Sequence, residues 1–476
     1  MKSNLLGQLR SGEKLSFRSQ LLLTIQLSIP AIMAQLSAIV MQYIDASMVG
    51  RLGANDSASI GLVASSTWLM GGLCSAASIG FTVQVAQFIG AGKEKEARGI
   101  VRQGLVAVLI FSTLLLMAGV AISAALPVWL GGKDEITQNA SVYFMIFSCY
   151  LPIHQLNTAA GGMLQCSGNM KVPSILHVIM CGLDVVFNAV LIFPSQMIAV
   201  AGFSIWIPGA GLGVMGAALG TALAEAVIML FMLSFLLVRS STLHLRRSEK
   251  LHFSIAELKR AGKIAVPVGF EQVIMCGAQI MATRIVSPLG TIAIAANSFS
   301  VTAESLCYMP GYGIGTAATT LIGQGIGAKR QDLTKRLGWL TTLLGMVVMA
   351  VSGGLMYVFA PQMIGMISPD PEIRALGTEI LRIEAFAEPM YAASIVASGV
   401  FRGAGDTFVP SCLNFCSMWF VRIPLSAFLA PRMGLRGVWI AMCIELCVRG
   451  VLFLVRLSGK RWMHENTKEK SISDFH

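Results

Sequence analysis

Carboxylate side chains lie inside long apolar runs of this sequence. Asp45 and Asp184 occur in the first half of the chain, and Glu271, Glu304 and Glu388 in the second. A charge at the centre of a bilayer costs about 2.5–3.5 kcal/mol on insertion scales, so acids in such runs usually face a water-filled cavity or a partner. The sequence therefore predicts cation or proton sites at these five positions, with a structural ion pair as the alternative for each.

Further polar groups are placed to share these sites. Asn188 lies one helical turn after Asp184, and Thr221 could add a hydroxyl. Gln42 lies three residues before Asp45 and so on the same helix face. The residues predicted to line a substrate cavity are Gln35, Gln42, Gln272 and Tyr391.

Two prolines and several arginines also occur inside the apolar runs. Pro30 and Pro267 each remove a backbone hydrogen bond, which favours either a static kink or a moving hinge. Structural pairs are predicted for Glu445 with Arg449, for Arg382 with Glu379, and for Arg422 with Glu445 or Glu388.

The composition restricts the class of protein. Hydrophobic residues make up 55% of the 476 residues and charged residues only 12%, and the mean hydropathy is +0.71. A soluble domain carries about 25% charged residues, so a soluble enzyme and a disordered chain are both excluded. The sequence contains no P-loop, GxSxG or HExxH motif, so we expect no enzyme, no cofactor and no metal beyond Na⁺ at Asp45 and Asp184.

Runs of about 20 apolar residues are long enough to cross a bilayer as helices. The sequence predicts an all-α integral membrane protein, with no cleavable signal before the first run. It has twelve such segments, numbered here as spans 1 to 12, at 22–48, 57–80, 100–126, 139–162, 171–194, 211–238, 261–287, 292–318, 336–360, 376–401, 408–430 and 434–457.

Lys and Arg predict the orientation of these spans. With the N-terminus inside, 26 of the 35 basic residues fall in inner segments and 5 in outer segments. Positive residues stay on the cytoplasmic side, so both termini are predicted to be cytoplasmic. This distribution explains the net charge of +11 without a nucleic-acid partner.

The second half of the sequence repeats the first at an offset of 237 residues. Pro30 matches Pro267, Gln87 matches Gln324 and Gly168 matches Gly405, while beyond span 5 the offset falls to 221. Each repeat has six spans, and an even number makes the repeats parallel. We predict two six-helix lobes, at 1–238 and 261–476, joined by a basic cytoplasmic linker at 239–260. The acids at 45, 184, 271, 304 and 388 are not duplicated, which favours different chemistry in the two lobes.

Several motifs resemble one family. The run from Pro30 to Asp45-Ala-Ser-Met-Val-Gly50 resembles the first-helix signature of multidrug and toxic compound extrusion (MATE) transporters. The further matching motifs are Gln87-Phe-Ile-Gly90, Gly323-Gln324-Gly-Ile-Gly327, Gln165-Cys-Ser-Gly168 and Phe401-Arg402-Gly403. The resemblance implies an antiporter that exports cationic, amphipathic drugs in exchange for H⁺ or Na⁺ by alternating access.

The resemblance also assigns roles to residues. Asp45 matches the family's acid in the first helix, and Thr221 matches a hydroxyl of the same site. One branch of the family often has the order Asn-x-x-x-Asp in its fifth helix, whereas this sequence has Asp184-x-x-x-Asn188. Glu271 and Glu388 lie near, but not at, the acid positions of the other branch, so the branch and the coupling ion stay open.

A flippase for lipid-linked oligosaccharides or other lipids is the alternative function within the same superfamily. It would favour a basic cavity, whereas the candidate cavity residues here are mostly acidic. We expect a monomer in the bacterial inner membrane, with the lipid bilayer and small cationic or amphipathic substrates as its partners.

Overall fold

The chain forms long helices that follow the predicted spans. A computed structural model describes residues 5–200, 203–246, 249 and 253–463, with the main chain alone at 196–200 and 203–208. Parts of the predicted linker and tail lie outside the described residues, and with them Lys2, Arg247, Lys250, Lys468 and Lys470 of the orientation prediction.

The first half of the chain contains eight helices and a hairpin in its described part. They are α1 (Leu5–Ser11), α2 (Phe17–Gly50), α3 (Ala54–Gly90), α4 (Glu94–Ile122), α5 (Leu126–Trp129), α6 (Asp134–Cys166), α7 (Lys171–Ile192), β1 (Pro194–Val200), β2 (Phe203–Ala210) and α8 (Gly213–Ser234), with a π-helical turn at Phe235–Arg239.

The second half follows the same order. Its helices are α9 (Ile255–Val286), α10 (Thr291–Gly327), α11 (Gln331–Ile367), α12 (Pro371–Glu384), α13 (Glu388–Ala404), α14 (Phe408–Ser417), α15 (Ile423–Met433) and α16 (Leu435–Ser458). A π-helical turn at Met418–Arg422 joins α14 to α15, and short 3₁₀ turns occur at Ser287–Leu289 and Arg461–Met463.

Nine helices of the described chain are long and apolar enough to cross a membrane. The remaining predicted spans, 4, 8 and 10, correspond to α6, α10 and the pair α12 and α13. These helices carry polar residues at buried positions, among them Gln155, Asn157 and Glu304. A helix that packs inside the protein does not need to be apolar on every face, which explains why a composition criterion alone misses them.

The repeat is visible in the main chain. Gly53 and its counterpart Gly290 both have positive φ angles, of 131° and 99°, at the turn between two spans. Gly168 and Gly405 repeat this at the turn after spans 4 and 10, with φ angles of 98° and 85°. Glycine reaches this region without a steric penalty, so the duplicated glycines preserve duplicated turns.

Span 10 differs from its counterpart, span 4. Helix α6 runs continuously through Pro152. The equivalent proline, Pro389, lies in the first turn of α13, and residues 385–387 separate α13 from α12. The prediction of one continuous helix at 376–401 is therefore wrong. Proline is tolerated at a helix start because its missing N–H would have no partner there, and Gly353 makes room for the break, since a Cβ at Gly353 would lie 3.0 Å from the Ala385 oxygen.

The loop between spans 5 and 6 contains the other departure from the prediction. Strands β1 and β2 pair there as an antiparallel hairpin, with Pro194 opposite Ala210. The fold is thus helical with one small hairpin. This insertion accounts for the change of the repeat offset from 237 to 221.

The chain divides into two compact units. One comprises the described parts of Met1–Leu36, Val83–Lys93 and Gly262–His476, and the other comprises Ser37–Thr82 and Glu94–Ala261. We call them unit 1 and unit 2. These units are defined by contacts between residues and not by the sequence repeat. The lobe boundaries at 1–238 and 261–476 therefore stay a prediction.

Unit 2 holds the predicted linker against α4. The Arg98 guanidinium donates to both oxygens of Glu249, at 3.0 Å from Nε and 2.6 Å from Nη2, and to the Thr242 carbonyl at 3.3 Å. Gln103 donates to the Ser254 carbonyl at 2.8 Å. The Arg98 bond and the neighbouring positive charges lower the pKa of Glu249 below its ordinary value. The described part of the linker is therefore docked and partly neutralised.

Candidate functional site

Asp45, Asp184 and Asn188 form one polar cluster in unit 2. Asn188 Nδ2 donates to Asp45 Oδ1 at 2.9 Å and to Asp184 Oδ2 at 3.0 Å. Asp184 and Asn188 follow each other by one turn on α7, whereas Asp45 comes from α2. Asp184 and Asn188 are buried and Asp45 is partly exposed. The structure thus brings together three residues that the sequence assigned to one site.

Helix α8 completes this cluster. Thr221 of this helix interacts electrostatically with Asp184, and so does Asp45. A Cβ at Gly220 would overlap the Asn188 side-chain oxygen. Gly216, one turn earlier, lies against the Leu191 carbonyl, 2.5 Å from a Cβ built there. The glycines of α8 therefore provide the space in which the α7 side chains reach Asp45.

The chemistry of the cluster follows from its donors and acceptors. Two carboxyls share one amide, and that amide presents its N–H groups to both of them. Carboxylates in close contact repel each other when both are ionised, and taking up one proton or one cation relieves this repulsion. Among the described residues, no group of three or more His, Cys, Asp or Glu side chains is arranged to hold a metal ion.

Unit 2 contains a second titratable pair that sequence reasoning did not place in a site. His154 Nδ1 on α6 lies 2.9 Å and 3.1 Å from the two carboxylate oxygens of Glu225 on α8. Glu225 is one turn after Thr221 on the same helix face. The spacing of four residues between Thr221 and Glu225 could have indicated that Glu225 lies near the site. Nothing in the sequence pairs Glu225 with His154.

Glu271 belongs to a separate cluster in unit 1. Its two oxygens accept hydrogen bonds from Ser411 Oγ at 2.8 Å and from Asn414 Nδ2 at 2.7 Å. The Arg402 guanidinium lies 4.0 Å away. Both oxygens therefore have donors from the segment around α14.

Glu304 and Glu388 come together in unit 1, and Glu384 joins them. The three acids are buried and interact electrostatically with each other. Glu384 and Glu388 stand on either side of the break between α12 and α13. Within the described chain, neither oxygen of Glu384 has a hydrogen-bond partner. The break that places Glu384 here could not be predicted from helix periodicity.

Three arginines near these acids have different partners. Arg449 pairs with Glu445 at 2.9 Å, which confirms that predicted pair. Arg422 was predicted to pair with Glu445 or Glu388, but it instead interacts electrostatically with Glu304 and Glu384. The predicted pair of Arg382 with Glu379 is wrong, because Glu379 pairs with Arg436 at 2.7 Å. Arg382 instead donates to the Tyr357 carbonyl at 3.2 Å.

The remaining predicted residues are placed as follows. Tyr391 is partly buried and packs edge-on against Tyr308, with ring centroids 5.6 Å apart. Gln35 and Gln272 are partly buried and Gln42 is exposed. Pro30 and Pro267 lie inside α2 and α9, which run continuously through them.

Comparison with known proteins identifies the family. The MatE family profile matches residues 30–190 and 267–428. The probable multidrug resistance protein NorM of Thermotoga maritima is 25% identical over 92% of each chain, and the multidrug resistance protein MdtK of Yersinia enterocolitica is 25% identical over 92% of this chain and 94% of its own. A solved outward-facing multidrug resistance MATE family transporter superposes with a TM-score of 0.86 at 20% identity, covering 97% and 99% of the two chains. The fold is therefore that of a multi-pass membrane protein with twelve membrane-spanning helices in two lobes. The chain belongs to the MatE family of MATE transporters.

Proposed function

We propose that this chain is a secondary antiporter that exports cationic, amphipathic compounds in exchange for a proton or Na⁺. The observation that carries the proposal is the cluster of Asp45, Asp184 and Asn188, held between α2 and α7 of a MatE-family fold. Relatives named as multidrug resistance proteins support a drug-like cargo.

The coupling step uses Asp45. A proton or cation bound between Asp45 and Asp184 removes the repulsion of the two carboxylates, and release of the ion restores it. A cationic cargo satisfies the same negative charge. Ion and cargo therefore compete for one lobe, which is the requirement for exchange. Pro30 lies 15 residues before Asp45 on α2, about 22 Å along the helix, and is the proposed hinge.

The arrangement of Asn188 favours a proton over Na⁺. Sodium needs a shell of oxygen ligands, as other hard cations do. Asn188 presents its N–H groups to the carboxylates, and Thr221 adds one oxygen. The two amide hydrogen bonds occupy one oxygen of each carboxylate, and Na⁺ would need such oxygens as ligands. One proton needs a single carboxylate oxygen, such as Asp184 Oδ1, which is buried without a partner in the described chain.

The second lobe supplies further proposed coupling acids at Glu271, Glu304 and Glu388. Glu304 and Glu388 are the better candidates for proton uptake, because their burial leaves a negative charge expensive. Glu271 differs from them in having hydrogen-bond donors on both oxygens.

We further propose that the protein acts as a monomer in the bacterial inner membrane, with both termini cytoplasmic, no cofactor besides the coupling ion, and no enzymatic activity. A lipid-linked oligosaccharide flippase is the alternative function. It would require basic groups around the cargo headgroup, whereas the clusters described above are acidic.

Efflux of a cationic dye such as ethidium, in an efflux-deficient host and in everted vesicles, tests the proposal. We expect the wild type to lower dye accumulation and to dissipate a pH gradient when dye is added, and Asp45→Asn to do neither at equal expression. Asp134→Asn is the matched control, because Asp134 is an exposed acid at the start of α6. If Asp45→Asn shows the coupled efflux of the wild type, the site assignment is wrong. If cells with and without the wild-type protein accumulate equal amounts of dye, the proposed function is wrong.

A further inference from the structure

A contact between a histidine and a glutamate joins spans 4 and 6 of the first repeat. His154 on α6 and Glu225 on α8 are in hydrogen-bond contact at 2.9 Å, and 28% of the His154 side chain and 9% of the Glu225 side chain are exposed. The other ring nitrogen of His154 faces α3, where it lies 3.9 Å from the Cβ position of Gly71. The coupling step described above does not use this pair.

The second repeat has an ion pair within its sixth helix, close to the position equivalent to Glu225. The offset of 237 matches His154 with Tyr391, and the offset of 221 places Glu225 one residue from Glu445. There Glu445 pairs with Arg449 at 2.9 Å, and the Arg449 guanidinium lies over the Tyr391 ring at 5.5 Å from its centroid. A glutamate at nearly the same place on the sixth helix therefore contacts a histidine of the fourth helix in the first repeat and an arginine of its own helix in the second.

Arginine and histidine differ in whether they release their proton in the physiological pH range. Arginine stays protonated at every physiological pH, so the Glu445–Arg449 pair has a fixed charge. Histidine changes its charge between pH 5 and 8. We infer that the His154–Glu225 pair is a second proton-binding site, which loads and unloads during transport separately from Asp45.

The surroundings of the pair place it beside the proposed coupling site. Glu225 lies four residues from Thr221 on α8, about 6 Å along the helix. The ionisable groups that face Glu225 from the packed helices are Cys74 of α3, Tyr150 and His154 of α6, and His177 and Asp184 of α7. Asp184 is the member shared with the coupling cluster, so the charge of one site acts on the other.

The proton balance of the pair is simple. With a proton on both ring nitrogens, imidazolium and carboxylate together are neutral. When the imidazolium releases one proton to water, neutral histidine and one carboxylate remain, with a net charge of −1. Each loading event therefore changes the charge inside the lobe by one unit without an oxidant, reductant or cofactor.

Substitution of His154 by arginine gives the sharpest test, because it puts a fixed positive charge beside Glu225. The variants are His154→Arg, His154→Gln and Glu225→Gln, with His244→Gln as control, since His244 Nδ1 contacts only the Ser240 carbonyl, at 3.0 Å, among its described bonds. Histidine ¹⁵N resonances of the purified full chain in nanodiscs are titrated from pH 5 to 9, and the pH profile of dye efflux is measured in vesicles.

We expect the histidine resonance that disappears in His154→Arg to titrate in this range in the wild type. We also expect the pH profile of efflux by that variant to shift by about one pH unit or more, or to flatten. His244→Gln should keep the wild-type profile. If His154→Arg fails to fold, Glu225→Gln and His154→Gln give the same comparison. The inference is overturned if the His154 resonance does not titrate, or if a folded His154 variant has the wild-type profile.

This inference deepens the proposed function and rests on it only for the transport readout. The two can fail separately. If Asp45→Asn transports normally, the coupling site is wrong while the titration of His154 still stands. If His154 does not titrate but Asp45→Asn is inactive, the antiporter proposal stands and the second proton site is wrong.

Discussion

Gly90 lies directly against the main-chain carbonyl of Gln324, and its repeat counterpart Gly327 lies in the same way against the carbonyl of Gln87. The two family motifs that follow spans 2 and 8 therefore pack on each other reciprocally within unit 1. Gln87 adds a hydrogen bond to the Gly403 carbonyl at 3.1 Å. A symmetric contact of this kind explains why both copies keep glycine and glutamine at the same positions.

The first prediction follows from this contact. Gly90→Ala and Gly327→Ala each place a methyl group onto a main-chain oxygen that cannot rotate away, so each should lower the free energy of unfolding by about 1–3 kcal/mol or more. Thermal unfolding in detergent, followed by size-exclusion chromatography, measures it.

Gly99→Ala is the control for that comparison. A Cβ at Gly99 would have no neighbour within 4 Å, and alanine is the better helix former, so this variant should be neutral or slightly stabilising. Equal melting temperatures for the Gly90, Gly327 and Gly99 variants would contradict the packing described.

The second prediction concerns Gly220, which leaves space for Asn188. Gly220→Ala should displace the Asn188 amide and reduce coupled efflux at least about tenfold, since a displacement cost of about 1.4 kcal/mol corresponds to that factor. It changes no charged residue. Gly182→Ala on α7 is the control, because a Cβ there meets nothing within 4 Å. Full activity of Gly220→Ala would mean that Asn188 need not bridge the two acids.

The sequence allowed much of the architecture to be predicted because bilayer physics leaves few alternatives. Apolar length fixed the spans, and the glycine pairs Gly53 with Gly290 and Gly168 with Gly405 show the repeat in the backbone. Asp45 and Asp184 could be assigned to one site because acids in apolar runs are rare.

Other features depend on contacts between distant segments. The break between α12 and α13 was not predictable, since Pro152 and Pro389 occupy equivalent positions and only one coincides with a break. The pairing of His154 with Glu225, 71 residues apart, has no signature in helix periodicity. The partner of Glu379 was predicted wrongly for the same reason, because sequence proximity to Arg382 does not decide which arginine reaches it.

The third prediction concerns the linker contact between Arg98 and Glu249. The hydrogen bond from Arg98 lowers the pKa of Glu249 in the folded protein below its ordinary value of 4.5. This contact therefore stabilises the fold fully above that value, and the stabilisation is lost as pH falls through the lowered folded value. Glu249→Gln should lower the melting temperature at pH 7 by a few degrees, with a difference from wild type that vanishes in strongly acidic buffer.

Glu94→Gln is the control for the linker, because the Glu94 carboxylate lies 3.8 Å from Arg98 and is about half exposed, at 47%. Melting temperatures of the three proteins from pH 7 down to pH 3 are the measurement. A difference between Glu249→Gln and wild type that grows as pH falls would contradict the assignment.

The fourth prediction contrasts two buried glutamates of unit 1. Arg449→Met leaves Glu445 buried without its cation, and breaking such a pair costs about 3–5 kcal/mol. Glu384→Gln removes a carboxyl whose oxygens have no hydrogen-bond partner in the described chain, so it should be neutral or stabilising. Chemical or thermal unfolding of both variants decides this, and a larger loss for Glu384→Gln than for Arg449→Met would reverse the roles.

The last prediction addresses the coupling ion through Asn188. In the wild type the amide offers N–H groups to Asp45 and Asp184, so dye efflux should proceed on a pH gradient in sodium-free buffer. Asn188→Asp replaces those donors with carboxylate oxygens. Three carboxylates around one point attract a cation more strongly and supply the oxygen ligands that Na⁺ needs. We therefore expect Asn188→Asp to gain a dependence on Na⁺ that the wild type lacks, measured as dye efflux against Na⁺ concentration at constant pH and ionic strength. Asn188→Ala removes the amide without adding oxygens and should lose coupling without gaining this dependence. Sodium-dependent efflux by the wild type, or an Asn188→Asp variant indifferent to Na⁺, would show that the amide does not select the ion.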